Sequence, residues 1–372
     1  MFGKGDAGIP TLVLQGSYRQ MGQEYGRAAR EPIHQNVELY LTRFTTYGQL
    51  SASQVSALGD GYRHRTREYN PQIADMLDGV AAGSGIDVEL IYALNARTEI
   101  LYAHSHLSDA CTAIAVLPSH TASRHLLIGQ NWDWHPEQRN TALVLATRDT
   151  AGFTVITLTE AGMLAKSGFN SAGLGVMANL LMSDRDRGGD GVPYHILLRG
   201  VLQSSSMAYA LRAATDYPCG CSGNFLIGDQ DGECIDLEVV PGDFGHLLPE
   251  DRGVLVHANH FMSRVPVMDK RKSHSALTLI RPQRALHLLA EVLQDRSVTT
   301  DDLKQVFRDH YSYPNGICRH VDVQDPPQEQ NCSVSSVVID LNDQWMDITL
   351  GNPCETPYER ISPRHLYPEE NP

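Results

Sequence analysis

The first 110 residues of this chain contain no cysteine, although seven follow, from Cys111 to Cys354. No disulfide can therefore join the two parts. An odd count behind a start (Met1-Phe2-Gly3-Lys4) with no visible secretory signal points to a reducing, cytoplasmic setting, with thiols that are buried or reactive. Long apolar runs are missing as well. Leu197-Leu198 and Val337–Ile339 fall far short of the roughly 20 residues a bilayer span needs. Basic charge is in deficit, with 30 Lys and Arg against 44 Asp and Glu, net −14, which argues against a nucleic-acid or anionic-membrane surface. The short cluster Lys270-Arg271-Lys272 follows Asp269 and reads as a loop. No phosphate-cradling Gly-rich loop of recognised spacing is present, so no cofactor is expected. Cys219-Gly220-Cys221 lacks a second pair at zinc spacing, and His257 and His260 would face opposite sides of a strand, so no metal is expected either. Disorder is excluded by an ordinary apolar content of 42% and the lack of charge blocks.

What is present divides into two textures. Residues 17–106 carry apolar side chains at helical spacing: Tyr18, Met21, Tyr25 and Ala29, then Val37, Tyr40, Leu41 and Phe44, and a last helix over 87–104. Beyond Cys111 come short β-like runs, at 112–117, 125–128, 142–147, 153–158, 224–227, 234–240, 253–258, 334–341 and 346–350. Amphipathic helices at 194–203 and 275–294 interrupt them. Strand groups broken by helices predict a layered α+β architecture in place of alternating βαβ units. The chain divides naturally into 1–110 and 111–372, packed as one integrated domain.

At the change of texture stands Asp109-Ala110-Cys111-Thr112-Ala113, and Gly129-Gln130-Asn131-Trp132-Asp133 follows about eighteen residues on, read as a strand end with an Asn-x-Asp turn. A cysteine opening a strand suits an N-terminal nucleophile. Cutting the bond before it frees an α-amine on the residue that carries the thiol. With an unperturbed pKa of about 8, that amine can take the thiol proton without a histidine. A nearby carboxylate such as Asp133 suits the task of holding the amine.

These segments, together with Gly16–Gly22 and Gly26, Leu94–Glu99, Glu160-Ala161-Gly162, Gly168–Gly173, His257-Ala258-Asn259-His260 and Ile317-Cys318-Arg319, form an ordered set. In it the chain resembles the acyl-coenzyme A:6-aminopenicillanic acid (isopenicillin N) acyltransferase-like family, the C45 cysteine peptidases of the N-terminal nucleophile hydrolases. The resemblance implies a four-layer αββα fold with a helical N-terminal segment, made as one precursor and cut by itself between Ala110 and Cys111. It implies Cys111 as nucleophile and, through its new amine, base, with Asp133 orienting that amine. Asn259 would be an oxyanion-hole donor, with Asn179 a second by analogy with bile-salt and penicillin V hydrolases, and Arg319 would hold a carboxylate or support the nucleophile. Trp132 and Trp134 are expected to be core and wall of the substrate pocket. The implied partners are a small N-acyl amide or acyl donor and the chain's own cleaved N-terminal fragment, with the oligomeric state open. Ala110 stands where relatives usually have Gly, and its Cβ would cost on the order of 1 kcal/mol if the position required a positive φ. Two other readings stay open at this point: an uncut Cys111 paired with a distant histidine in a peptidase-like hydrolase, and a non-catalytic binding protein that keeps the fold.

Overall fold

The structure, a computed structural model, describes residues 2–4, 8–104, 110–188, 191–249, 252–272, 277–327 and 329–368. Among these, strands form two sheets. The first runs in the order β1 (Phe2–Lys4), β2 (Pro10–Gln15), β5 (Ala142–Arg148), β6 (Thr154–Glu160), β7 (Gly168–Asn170), β8 (Leu174–Leu180), β9 (Gly223–Asp229), β10 (Cys234–Val240) and β11 (Asp243–Leu247). The second runs β12 (Val254–His257), β3 (Ala110–Val116), β4 (Leu127–Trp134), β13 (Cys332–Asp340), β14 (Trp345–Leu350) and β15 (Glu359–Ile361). Neighbours are antiparallel except β2 and β5.

The sheets face each other through β3 and β4 on one side and β8 and β9 on the other. Side-chain alternation on β3 and β4 sorts the two faces. Cys111, Ala113, Ala115, Ile128, Trp132 and Trp134 turn into the core between the sheets, which also takes Val176, Phe225 and Ile227. Ile114, Val116, Leu127 and Val338 turn outward beneath helices α9 (Leu277–Asp295) and α10 (Thr300–Phe307), against Ala285, Leu289 and Phe307. Helices α7 (Tyr194–Leu202) and α8 (Met207–Thr215) lie over the other sheet. The layers are therefore helix, sheet, sheet, helix, as expected. No described helix is long and apolar enough to cross a membrane.

The segment before Cys111 is helical: α1 (Tyr18–Ala28), α2 (Arg30–Thr46), α3 (Ala52–Tyr69), α4 (Pro71–Ser84), α5 (Val88–Asn95) and α6 (Arg97–His104). The Gly22 and Gly26 of the sequence motif have a steric purpose. A Cβ on Gly22 would stand 2.0 Å from the Met76 carbonyl oxygen, and one on Gly26 2.3 Å from that of Val80. Helices α1 and α4 touch backbone to backbone, which only glycine allows.

Two sequence expectations need correction. Asn131-Trp132-Asp133 is the second half of β4, not a turn. Its polar residues look turn-like, but neighbouring elements satisfy them: Asn131 Nδ2 donates to the carbonyls of Phe307 and Ile317, each at 2.9 Å. Ala110 opens β3 opposite Asp133. It is not among the described residues with left-handed backbone, Gln49, Arg124, Ser312 and Gln344, so its Cβ carries no strain of that kind. Strands β2, β7, β8 and β11 and helices α8 and α10 were not anticipated.

Candidate active site

Cys111 is the second residue of β3 and is buried. It lines a small cavity with Gln130, Trp132, Lys166, Ser167, Ala178, Leu180, Tyr194 and His195. The free volume, about 10 Å³, is what a single water needs. The backbone of Cys111 is gripped from the other side. Register continued from the His257–Ala113 pair of β12 and β3 brings Asn259 opposite Cys111, and the Cys111 N–H donates to Asn259 Oδ1 at 2.7 Å.

Arg281 completes this grip. Its guanidinium donates to the Cys111 carbonyl, to Thr112 Oγ1 at 2.8 Å and to Asn259 Oδ1 at 3.0 Å. Two donors converging on Oδ1 fix the Asn259 amide, whose Nδ2 donates to the Leu180 carbonyl at 3.0 Å. Burial pushes the Arg281 guanidinium down to about 10, with Asp133 and Cys111 close enough to support its charge and Arg319 opposing it.

Asp133 sits on the opposite face of the sheet from the thiol, level with Ala110. A β-bulge in β13 makes Ser333 pair with Asp133 while Ser335 pairs with Trp132, and bulges re-aim side chains in this way. Ser333 Oγ donates to Asp133 Oδ1 at 2.6 Å and accepts from the Arg319 N–H at 3.0 Å. Asp133, Ser333 and Arg319 thus form one chain leading to the start of β3.

The structure brings Cys111, Asp133, Asn259 and Arg319 together, and it places the other expected residues differently. Asn179 spends both amide protons on the carbonyls of His257 and Ala258, at 3.0 and 2.9 Å, and accepts from Gln130. It fixes the end of β12, and through it Asn259. Trp132 walls the cavity, with Lys166 Nζ 4.0 Å from its ring centroid. Trp134 lies outside that lining; its ring faces Arg97 at 4.7 Å and its Nε1 donates to the Tyr40 hydroxyl.

Sequence reasoning missed Arg281, Lys166 and Ser333. A signal existed for Arg281, because Thr278, Arg281, Ala285 and Leu289 share the buried stripe of α9, and an arginine on an apolar stripe asks for a partner. Lys166 follows the apolar run Met163-Leu164-Ala165 within a longer buried stretch. Burial brings it down to about 8, helped by Arg97 and opposed by Glu160 and Cys111. Ser333 owes its position to the bulge, which no pattern announces.

Comparison with known proteins follows the same lines. Residues 120–355 match the family model described as acyl-coenzyme A:6-aminopenicillanic acid acyl-transferase. The chain is 24% identical over 342 residues to the acyl-coenzyme A:6-aminopenicillanic-acid-acyltransferase 40 kDa form of Emericella nidulans, covering 92% of each. Among solved structures, it is similar to a conjugated bile acid hydrolase from Clostridium perfringens (13% identity, TM-score 0.49, 70% of this chain and 93% of that one). It is also similar to a penicillin V acylase from Agrobacterium tumefaciens (15% identity, TM-score 0.43, 68% and 86%).

Proposed function

Since the chain belongs to the acyl-coenzyme A:6-aminopenicillanic acid acyl-transferase family, we propose that it is a self-processing cysteine enzyme that hydrolyses or transfers the acyl group of a linear amide. The observation that carries this reading is the double grip on Cys111: its nitrogen on Asn259, its carbonyl on Arg281, its thiol facing a cavity. In the first step the Cys111 sulfur attacks the Ala110 carbonyl carbon, and the Cys111 nitrogen leaves as an amine after gaining a proton. Water then cleaves the resulting thioester, leaving a carboxylate on Ala110 and a free α-amine on Cys111. That amine stays on Asn259 Oδ1, level with the Asp133 carboxylate, and takes the thiol proton in each turnover. The thiolate attacks the substrate carbonyl, the amine product departs, and water or an acceptor amine takes the acyl group from sulfur.

Lys166 supplies positive charge in the cavity where the thiolate develops, and Arg281 supplies it at the Cys111 backbone, both in a buried site. Leu180 takes one of the two Asn259 Nδ2 protons and the Cys111 N–H is held on its Oδ1, so we assign Asn259 first to holding the amine, and an oxyanion would draw on the other Nδ2 proton. A histidine base is disfavoured by His195, the imidazole in the cavity. Its Nδ1 lies 3.2 Å from the Ala165 carbonyl and its Nε2 3.4 Å from Thr98 Oγ1.

The test is the intact mass of freshly purified protein under denaturing conditions. Pieces of about 12 and 29 kDa, 41.1 kDa divided as 110 to 262 residues, with the larger beginning at Cys111, are expected. A single 41.1 kDa species that persists on incubation and resists labelling at Cys111 by a thiol-reactive acyl analogue would favour a binding protein instead.

A further inference from the structure

On the outer side of the second sheet, away from the Cys111 cavity, four side chains converge: His310 and His320 from the loop after α10, Cys318 between them, and Cys354 beyond β14. Their Nε2 and Sγ atoms all lie within 4.8 Å of one another. Four edges of the cluster are 3.1 Å between the two histidine nitrogens, 3.5 Å between the two sulfurs, and 3.7 and 3.4 Å from His320 Nε2 to Cys318 and Cys354. Zinc bonds of about 2.3 Å to sulfur and 2.0–2.1 Å to nitrogen, set tetrahedrally, require edges of about 3.3 Å (N–N), 3.6 Å (N–S) and 3.8 Å (S–S). These four of the six edges lie within about 0.3 Å of that set, and the two from His310 to the sulfurs are within 4.8 Å. We propose that His310, Cys318, His320 and Cys354 form a Cys2His2 site for a tetrahedral, borderline-soft divalent cation, zinc foremost.

Neighbouring groups fit a metal centre. Asn352 Nδ2 donates to Cys318 Sγ at 3.5 Å, as amides do to metal-bound thiolates, and Glu355 Oε1 lies 3.8 Å from His320 Nδ1, the ring nitrogen turned away from the cluster. His310 and Cys354 are exposed, which gives an ion a way in. The loop is already held in place: the Cys318 N–H donates to the Asp309 carbonyl, the His320 N–H to that of Pro314, and Arg284 pairs with the Asp309 carboxylate at 2.7 Å. Two imidazole nitrogens and two sulfurs brought this close repel or compete for protons unless a cation sits among them. The site joins a loop to a distant part of the chain, a structural zinc's usual task. Cys318 directly precedes Arg319, so the ion would also fix the backbone that bonds Ser333.

The experiment uses the full chain, purified with a reductant and no chelator, loaded with zinc and exchanged into metal-free buffer. One zinc per chain by elemental mass spectrometry is expected, unchanged in Cys111→Ala and lost in His310→Ala and Cys354→Ser. Because a variant can fail to fold, the unsubstituted chain is also stripped and given cobalt(II). A strong visible d–d band with sulfur-to-cobalt charge transfer marks a tetrahedral thiolate site. A chain that retains no zinc after loading and gives only the weak spectrum of octahedral cobalt overturns the proposal. So does a Cys318–Cys354 disulfide in the reduced preparation.

Discussion

Two buried ionic networks flank Cys111, and they differ in what they hold. On the inner side, Glu160 accepts from Tyr40 and Gln138, each at 2.7 Å, and pairs with Arg97 at 2.9 Å and Lys166 at 3.2 Å. Burial opposes its charge, yet Arg97 and Lys166 overcome this and hold the carboxyl down at about 2. On the outer side, Asp133 is reached through Ser333, and the cation Arg281 is engaged with the Cys111 carbonyl and Asn259. The first network is a clasp. Tyr40 and Arg97 precede Cys111 in the chain while Glu160, Gln138 and Lys166 follow it, so it would join the two pieces that no disulfide can join. The second is an aiming device directed at one nitrogen and one carbonyl. The Glu160 carboxylate ties the two parts of the chain together; the Asp133 carboxylate lies level with Ala110, at the start of β3.

Substitutions can break this contrast in order of size. Cys111→Ala removes the nucleophile common to both proposed steps. Intact mass should stay at 41.1 kDa, and amide turnover should fall roughly 10⁶-fold, as for other dedicated nucleophiles. Glu160→Ala strands Arg97 and Lys166 in the core and should cost about 3–5 kcal/mol in urea unfolding. In the cut protein it should also release the smaller piece on size-exclusion chromatography. The same carboxylate dictates an acid limb. Its folded pKa lies below the ordinary 4.5, so its contribution is full above pH 4.5 and disappears as pH falls from there toward about 2. Acid unfolding followed by circular dichroism should show that limb flattened in Glu160→Gln.

Ser333→Ala tests the aiming side. It removes the donor to Asp133 and the acceptor for Arg319, so kcat should fall about tenfold while stability drops only about 1–2 kcal/mol. An unchanged kcat would reduce Asp133 to a structural carboxylate. The smallest effect is expected from Ala110→Gly. With Ala110 extended in β3, the time course of cutting should change less than about threefold, reflecting only the 0.5–1 kcal/mol that glycine loses in a strand. Marked acceleration would mean that the cutting geometry differs from the strand described.

Much of the fold was legible because burial writes a period. The helical stripe of 17–106 and the β-like run at 234–240 needed only one-dimensional patterns, and β10 matches its expected bounds. Strands β7 and β8 escaped notice because Gly168, Gly173 and Gly175 look like punctuation, although Gly175 serves to let Ile128 and Leu341 approach across the sheets. The residues gathered at the site divide similarly. Cys111, Asp133 and Asn259 lie in recognisable motifs, while Arg281 reaches Cys111 across 170 positions. The His310, Cys318, His320 and Cys354 cluster, where no metal was expected, has spacings that no short motif shares.

The small cavity beside Cys111 has a consequence for timing. If the chain is cut as proposed, a site with free volume for about one water offers little room to an external amide, and the uncut chain would be latent without any inhibitor. The acyl group within reach of the sulfur is the chain's own, at Ala110. On the proposed scheme, spending that bond would free the amine that drives turnover. Activation would then happen once per molecule and could not be reversed.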